Sequence, residues 1–177
     1  MVNAGATKQD IQEIARLQLE NTNAVTGGDS FCEMLFQIAE QDGNLIHIMS
    51  DDLILVPLLL NRGKYPLYGV SVRIADIDQI KNGIWEQSLK EYNIGDLTPG
   101  YLTSTSIRLP HHGKDFNYNI TYVARNGAWL QMLRMRWVGD GWGTATKILK
   151  GLGGEELYQD VSSNFPRGPN GEIDWRE

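Results

Sequence analysis

Cysteine is almost absent: Cys32 is the only one in the chain. A single thiol closes no internal disulfide and builds no cysteine-based zinc cluster. Histidine is nearly as scarce, with three residues, His47, His111 and His112. Long apolar runs are missing too. The longest, LILVPLLL at residues 53–60, is far short of the roughly 20 residues that cross a bilayer as a helix. There is no excess of positive charge, since 16 Lys and Arg stand against 22 Asp and Glu, a net charge of −6. Holding a phosphate backbone or an anionic lipid surface needs clustered cations, so neither a nucleic-acid partner nor docking on anionic lipid is expected, and the short apolar runs predict no membrane span. The opening MVNAGATKQD has neither the basic segment nor the apolar core of a signal peptide. A catalytic signature is missing as well. Gly28-Asp29-Ser30 begins like a nucleophile elbow, but Cys32 stands where the second glycine should be. No cofactor is expected.

What is present is an ordinary globular composition, 41% apolar and 21% charged over 177 residues, enough for one domain with its own core. The clearest stretch is residues 53–76, which reads as strand, tight turn, strand. Pro57 opposes a helix and belongs at an edge or bulge of a strand. Asn61 and Gly63 are turn residues. From Tyr68 the pattern alternates, with Tyr68, Val70, Val72 and Ile74 on one face.

Taken in order, residues 7–24 read as a helix capped by Thr7, with Ile11, Ile14 and Ala15 as an apolar stripe widened by Leu17 and Leu19. Gly27-Gly28 ends it. Such a helix either docks on its own domain or serves self-association. Residues 30–41 fit a strand better than a helix, and Asp42-Gly43 with the apolar run 45–49 suggests a hairpin. Residues 76–100 fit a short helix or an irregular crossover around Ile77, Ile80, Ile84 and Trp85, broken at Asn82-Gly83. Residues 101–109 fit an extended segment. Residues 116–125, 128–138 and 142–149 read as a three-stranded meander, with turns predicted at Asn126-Gly127 and Asp140-Gly141. Beyond residue 150 the composition shifts. A short helix at residues 155–158 is followed by a Pro- and Gly-rich tail anchored by Phe165 and Trp175. The expected layout is an N-terminal helix (1–27), a β-domain (28–150) and a packed tail (151–177).

The phrase NRGKYPLYGVSVRI, with GGDSFC upstream and FNYNITYVARNGAW downstream, resembles immunoglobulin-like β-sandwich modules of bacterial proteins of unknown function. The resemblance covers roughly residues 27–149. It implies a mainly β, antiparallel sandwich preceded by a helical segment, in which the unit at residues 53–76 forms one hairpin. It carries no catalytic residues. The alternative architecture, suited to a helix followed by an antiparallel sheet, is an α+β cone enclosing a ligand pocket.

Chemistry-bearing residues are few. His111 and His112, with Asp115 nearby, could ligate one metal only from a loop, because neighbours in a strand point to opposite faces. Against that stands a solvated loop. His47 lies between Ile46 and Ile48 and reads as a satisfied histidine. Asp51-Asp52 and Asp76-Ile77-Asp78 suit turns and caps, or calcium. Cys32 has no basic neighbour in sequence to activate it. Trp142 beside a turn, together with Tyr101 or Tyr118, could offer an aromatic platform, while Trp129 and Trp137 fit a core. Arg134 and Arg136 form one face of their strand, a solvated surface or a ligand contact.

The expected function is a non-enzymatic interaction or scaffold module that binds a protein partner or itself. One alternative is carbohydrate or small-ligand binding through exposed aromatics. The other is a small α+β enzyme with a histidine-containing pocket.

Overall fold

The computed structural model describes residues 8–36, 40–41, 44–45, 54–55, 57–84, 89–107, 109–110, 115–139 and 141–175. Helix α1 spans Lys8–Thr26 and is followed by strands β1 (Cys32–Phe36), β2 (Glu40–Gln41), β3 (Asn44–Leu45), β4 (Ile54–Leu55), β5 (Pro57–Asn61) and β6 (Leu67–Asp76). After the short helix α2 (Ile77–Lys81) come β7 (Leu89–Leu97), β8 (Leu102–Ser104), β9 (Leu109–Pro110), β10 (Asp115–Ala124), β11 (Gly127–Val138), β12 (Gly141–Lys150) and β13 (Glu156–Val161). The protein is mainly β, with two antiparallel sheets and an N-terminal helix. The small sheet has the order β1-β5-β8 and the large one β13-β12-β11-β10-β6-β7, while β2–β3 and β4–β9 form short pairs.

The chain alternates between the two main sheets, an arrangement compatible with a β-sandwich. This corrects the hairpin expected at residues 53–76. Both strands form, but β5 pairs with β1 and β8, and β6 pairs with β10 and β7. The turn between them passes from one sheet to the other. It is fixed by the buried Asn61, whose Nδ2 donates to the carbonyls of Tyr65 (2.9 Å) and Leu97 (3.1 Å). Ser30 Oγ accepts from the Tyr65 N–H at 2.9 Å. A Cβ on Gly63 would fall 2.3 Å from the Ser30 Cα, an atom that cannot swing aside. Gly63→Ala is therefore expected to cost about 2–3 kcal/mol in urea unfolding, the scale of overpacking a closed site. An unchanged midpoint would show that the turn is plastic.

Pro57 opens β5, where the missing donor is tolerated. In β6 the register slips between Leu67 and Val70, around Gly69 at φ +61. Leu67 thus joins Val70, Val72 and Ile74 in the core, and Tyr68, expected there, leaves it to donate to the Ala24 carbonyl. The bulge accounts for the exchange, because one extra residue reverses side-chain polarity.

The meander β10-β11-β12 forms as expected, but both turns close one residue early, with Ala124 opposite Gly127 and Val138 opposite Gly141. At the first turn Asn126 is held elsewhere, donating to the carbonyls of Gly28 (3.1 Å) and Ser30 (2.7 Å). These bonds begin a series along the outer edge of β1. Trp129 Nε1 donates to the Cys32 carbonyl (2.8 Å), and Gln131 takes both backbone groups of Met34. Side chains of the large sheet thereby complete the edge that β5 leaves open, as a neighbouring strand would. The shared core includes Tyr122 stacked on Trp129 (5.5 Å) and Phe116 against Trp142 (5.1 Å).

Two further corrections concern the borders of the large sheet. Residues 76–100, read as a short helix or an irregular crossover, hold the short helix α2 and then β7 at residues 89–97, and residues 156–161 form β13 where a short helix was expected. Residues 32–36 are strand as expected, and the β2–β3 pairing agrees with the hairpin read at Asp42-Gly43, although that turn itself lies outside the described residues. So do Thr7, Trp85 and most of the run 45–49.

Candidate functional site

Helix α1 buries none of its residues. Ile11, Ile14, Leu17, Leu19 and Val25 are between 46% and 62% exposed, so the apolar stripe predicted from spacing faces solvent rather than the domain. The helix is tethered near its C-terminal end: Lys64 pairs with Glu20 (2.6 Å), and Arg125 donates to the Val25 carbonyl (3.2 Å). Gly27 (φ +102) and Gly28 (φ +55) terminate it, and a side chain on Gly28 would meet the Tyr65 ring at 2.7 Å.

The second feature lies on the outer face of β10–β12. Arg134 and Arg136 were expected on a solvated face, yet Arg134 is 1% exposed. The cover is the segment after β13. Ser162 bonds to Thr144 through backbone and side chain, and Asn164 donates to the Trp142 carbonyl (3.2 Å). Phe165 packs its backbone on Gly143, where a Cβ would come within 2.9 Å of the Phe165 Cα. Phe165 is buried and Trp175 half-buried, both in the tail as anticipated. Arg134 Nη2 donates to the Trp175 carbonyl at 2.6 Å, and Arg136 lies over the Phe165 ring. A cavity of about 730 Å³ remains between β11 and the tail, lined among others by Arg136, Phe165, Arg167, Glu172, Asp174 and Trp175.

The remaining candidates do not converge. Trp142 is a core residue, wedged between Phe116 and Trp137, because its turn is roofed by Asn164 and Phe165. Tyr118 is buried, with its hydroxyl pushed above the ordinary range by burial and then by Asp76 and Asp78. Tyr101 is 70% exposed, so the three aromatics share no open surface. Asp76 caps α2, accepting from the Asp78 and Gln79 N–H groups at 3.1 Å. Asp78 accepts from Asn117 Nδ2 (2.8 Å). Cys32 is buried, and burial followed by the Glu33 charge pushes its thiol well up, which opposes thiolate chemistry. His47, His111, His112 and Asp51-Asp52 lie outside the described residues. Among the described residues no group of three or more His, Cys, Asp and Glu is placed to hold a metal. Asp115 is exposed, 4.0 Å from Arg136 Nε.

Sequence reasoning passed over one ionic cluster. Glu33, on β1, has no solvent exposure, and its Oε1 accepts from Arg62 Nε at 2.5 Å. Arg62 in turn lies 4.6 Å over the Tyr158 ring of β13. Burial raises the Glu33 carboxyl above its ordinary range; Arg62 offsets this only in part, and Asp160 adds to it. An acidic residue inside an apolar strand gives no hint in sequence of where its partner will come from.

Geometry and pairing define a class: a mainly β protein of two antiparallel sheets with an exposed N-terminal helix and a tail laid over an arginine pair. No protein-family model, no curated protein and no solved structure matches the chain. Among the described residues no helix is long and apolar enough to cross a membrane.

Proposed function

We propose that the protein is a non-enzymatic interaction or scaffold module, an immunoglobulin-like sandwich that pairs with a second copy of itself through α1. The observation that carries this is the exposed apolar stripe on a helix with no buried residue, beside a β-domain whose core is closed without it. A helix in a protein gains most of its stability from packing its apolar face, and α1 has none packed within its own chain. A second copy suits the charges. Lys8 and Arg16 are mixed with Asp10, Glu13 and Glu20, so an antiparallel neighbour brings Lys8 near Glu20 and Arg16 near Glu13. The sandwich reading draws on the alternation of the chain between its two sheets.

Light scattering behind size exclusion tests the pairing. The full chain is expected to run as a dimer, and Ile11→Ser with Ile14→Ser as a monomer with an unchanged unfolding midpoint, since both side chains are exposed. A version starting at Gly27 should also be monomeric. A monomeric full chain would remove the basis of the reading.

A further inference from the structure

The outer face of the large sheet carries a second hollow, where β10, β6 and β7 run side by side. It holds about 690 Å³ and, among the described residues, is lined by none of α1 or the tail. Strand register lays two rungs of side chains across it. One is Val123, Ser71 and Asn93; the next is Thr121, Arg73 and Glu91. They share the outer face because the residues between them on β6 and β10, Val72 and Tyr122, belong to the core. Strand spacing and rise make the two rungs about 10 Å by about 7 Å, the footprint of one sugar ring or two linked ones. Gly69 also lines the hollow, at φ +61 in the bulge, and nothing lies within 4 Å of where its Cβ would stand. That end therefore stays clear.

The lining has many hydrogen-bonding ends and no net charge. Arg73 and Glu91 neutralise each other, with Arg73 Nε (2.6 Å) and Nη2 both donating to Glu91 Oε1. Arg73 Nη1 and Glu91 Oε2 are left over, a donor beside an acceptor. The side chains of Ser71, Asn93 and Thr121 bond to no other group among the described residues. Val123, 50% exposed, adds a small apolar surface. An ion finds no excess charge here, and the apolar stripe of a second α1 finds few contacts beyond Val123. A polyol meets each feature: its hydroxyls donate and accept, as the lining does, and the C–H face of a ring packs on the valine methyls. The volume is that of a small-molecule site, about 300–1,000 Å³. We propose that this hollow binds a neutral saccharide, its hydroxyls held by Ser71, Asn93, Thr121 and the Arg73–Glu91 pair. The carbohydrate reading of the sequence rested on Trp142, Tyr101 and Tyr118, which share no open surface; the polar rungs take their place. This goes beyond the pairing through α1 and fails separately from it. Ile11→Ser with Ile14→Ser should halve the mass and leave saccharide binding unchanged.

The test titrates the isotope-labelled full chain with neutral mono- and disaccharides of glucose, galactose, mannose, xylose and N-acetylglucosamine, with glycerol as the control for unspecific hydroxyl contacts. Saturable movement of the amide resonances of residues 71–73, 91–93 and 121–123 is expected with at least one of them. Affinity should change by less than about twofold between dilute buffer and about 0.5 M sodium chloride, because an uncharged ligand leaves no long-range attraction to screen. Thr121→Val keeps the shape and removes one hydroxyl, and Asn93→Ala removes an exposed amide. Each should weaken binding about threefold to tenfold, the loss of one hydrogen bond. Asn93→Ala lies on the surface and should leave the unfolding midpoint unchanged, which keeps the test decisive if Thr121→Val misfolds. Silence across the panel, movement that glycerol reproduces, or full-strength binding by Asn93→Ala would overturn the proposal.

Discussion

Gln131→Leu is expected to bring the protein close to unfolding at room temperature. The Gln131 side chain is fully buried. Its Oε1 accepts from the Met34 N–H (2.8 Å) and from the Tyr122 hydroxyl (2.6 Å), and its Nε2 donates to the Met34 carbonyl (3.0 Å) and to Thr146 Oγ1 (2.9 Å). Leucine matches the volume but strands the two Met34 groups and the Tyr122 hydroxyl in the core. Each stranded group costs about 1–3 kcal/mol, so a loss of about 4–6 kcal/mol is expected. The whole stability of a domain is about 5–15 kcal/mol. Thr146→Val removes one bond of the four and should cost only about 1 kcal/mol. Gln131→Glu keeps the acceptor and loses the donor to Met34, so its deficit should shrink on acidification as the carboxyl regains a proton. Urea unfolding of the three variants separates hydrogen bonding from packing. A loss below about 1 kcal/mol for Gln131→Leu would mean that the edge of β1 finds other partners.

The second large effect is expected from Arg62→Met. Removing the guanidinium leaves the buried Glu33 carboxylate without its cation. Breaking one side of a buried pair costs about 3–5 kcal/mol, and the lower figure applies because Arg62 is 35% exposed and its charge is partly screened. The pH dependence follows from the direction of the Glu33 shift. Its folded pKa lies above the ordinary carboxylate value, so the native state holds the proton more tightly than the unfolded chain. Ionising Glu33 then works against folding, and its contribution falls as pH rises through the window above the ordinary value. Without Arg62 the shift grows. The deficit of the variant relative to the parent should therefore be largest at neutral pH and smallest near pH 4, where Glu33 takes up its proton. Glu33→Gln in the same background should recover much of the loss at pH 7. Equal deficits at both pH values would assign the role of Arg62 to its packing on Tyr158 instead.

Both sites show where sequence reading reached its limit. Hydrophobic alternation located β10, β11 and β12, because their core-facing residues are apolar and evenly spaced. The two strands it missed, β7 and β13, border the large sheet. Edge strands carry charge and break their pattern, as Glu91, Asn93 and Gly95 do in β7 and Gln159 and Asp160 in β13. The Tyr68 assignment failed at a bulge, which a strict period of two does not contain. Of the candidate residues, Arg134 and Arg136 were visible as a pair, but the burial of Arg134 depends on a tail 41 residues further along. Trp142 looked exposed because a turn precedes it, and the same tail roofs that turn.

The sequence alone determined the apolar stripe of α1, its glycine stop and the core faces of the meander. These follow from local spacing and residue chemistry, which need no knowledge of distant contacts. The tertiary structure decided which strands pair, that β5 and β6 part into different sheets, and that α1 keeps its stripe in solvent. It also decided that Asn126, Trp129 and Gln131 close the edge of β1. Those outcomes rest on unpaired backbone groups and buried charges finding partners up to 98 residues away, and such matches are fixed by the register of the whole fold rather than by any window of sequence.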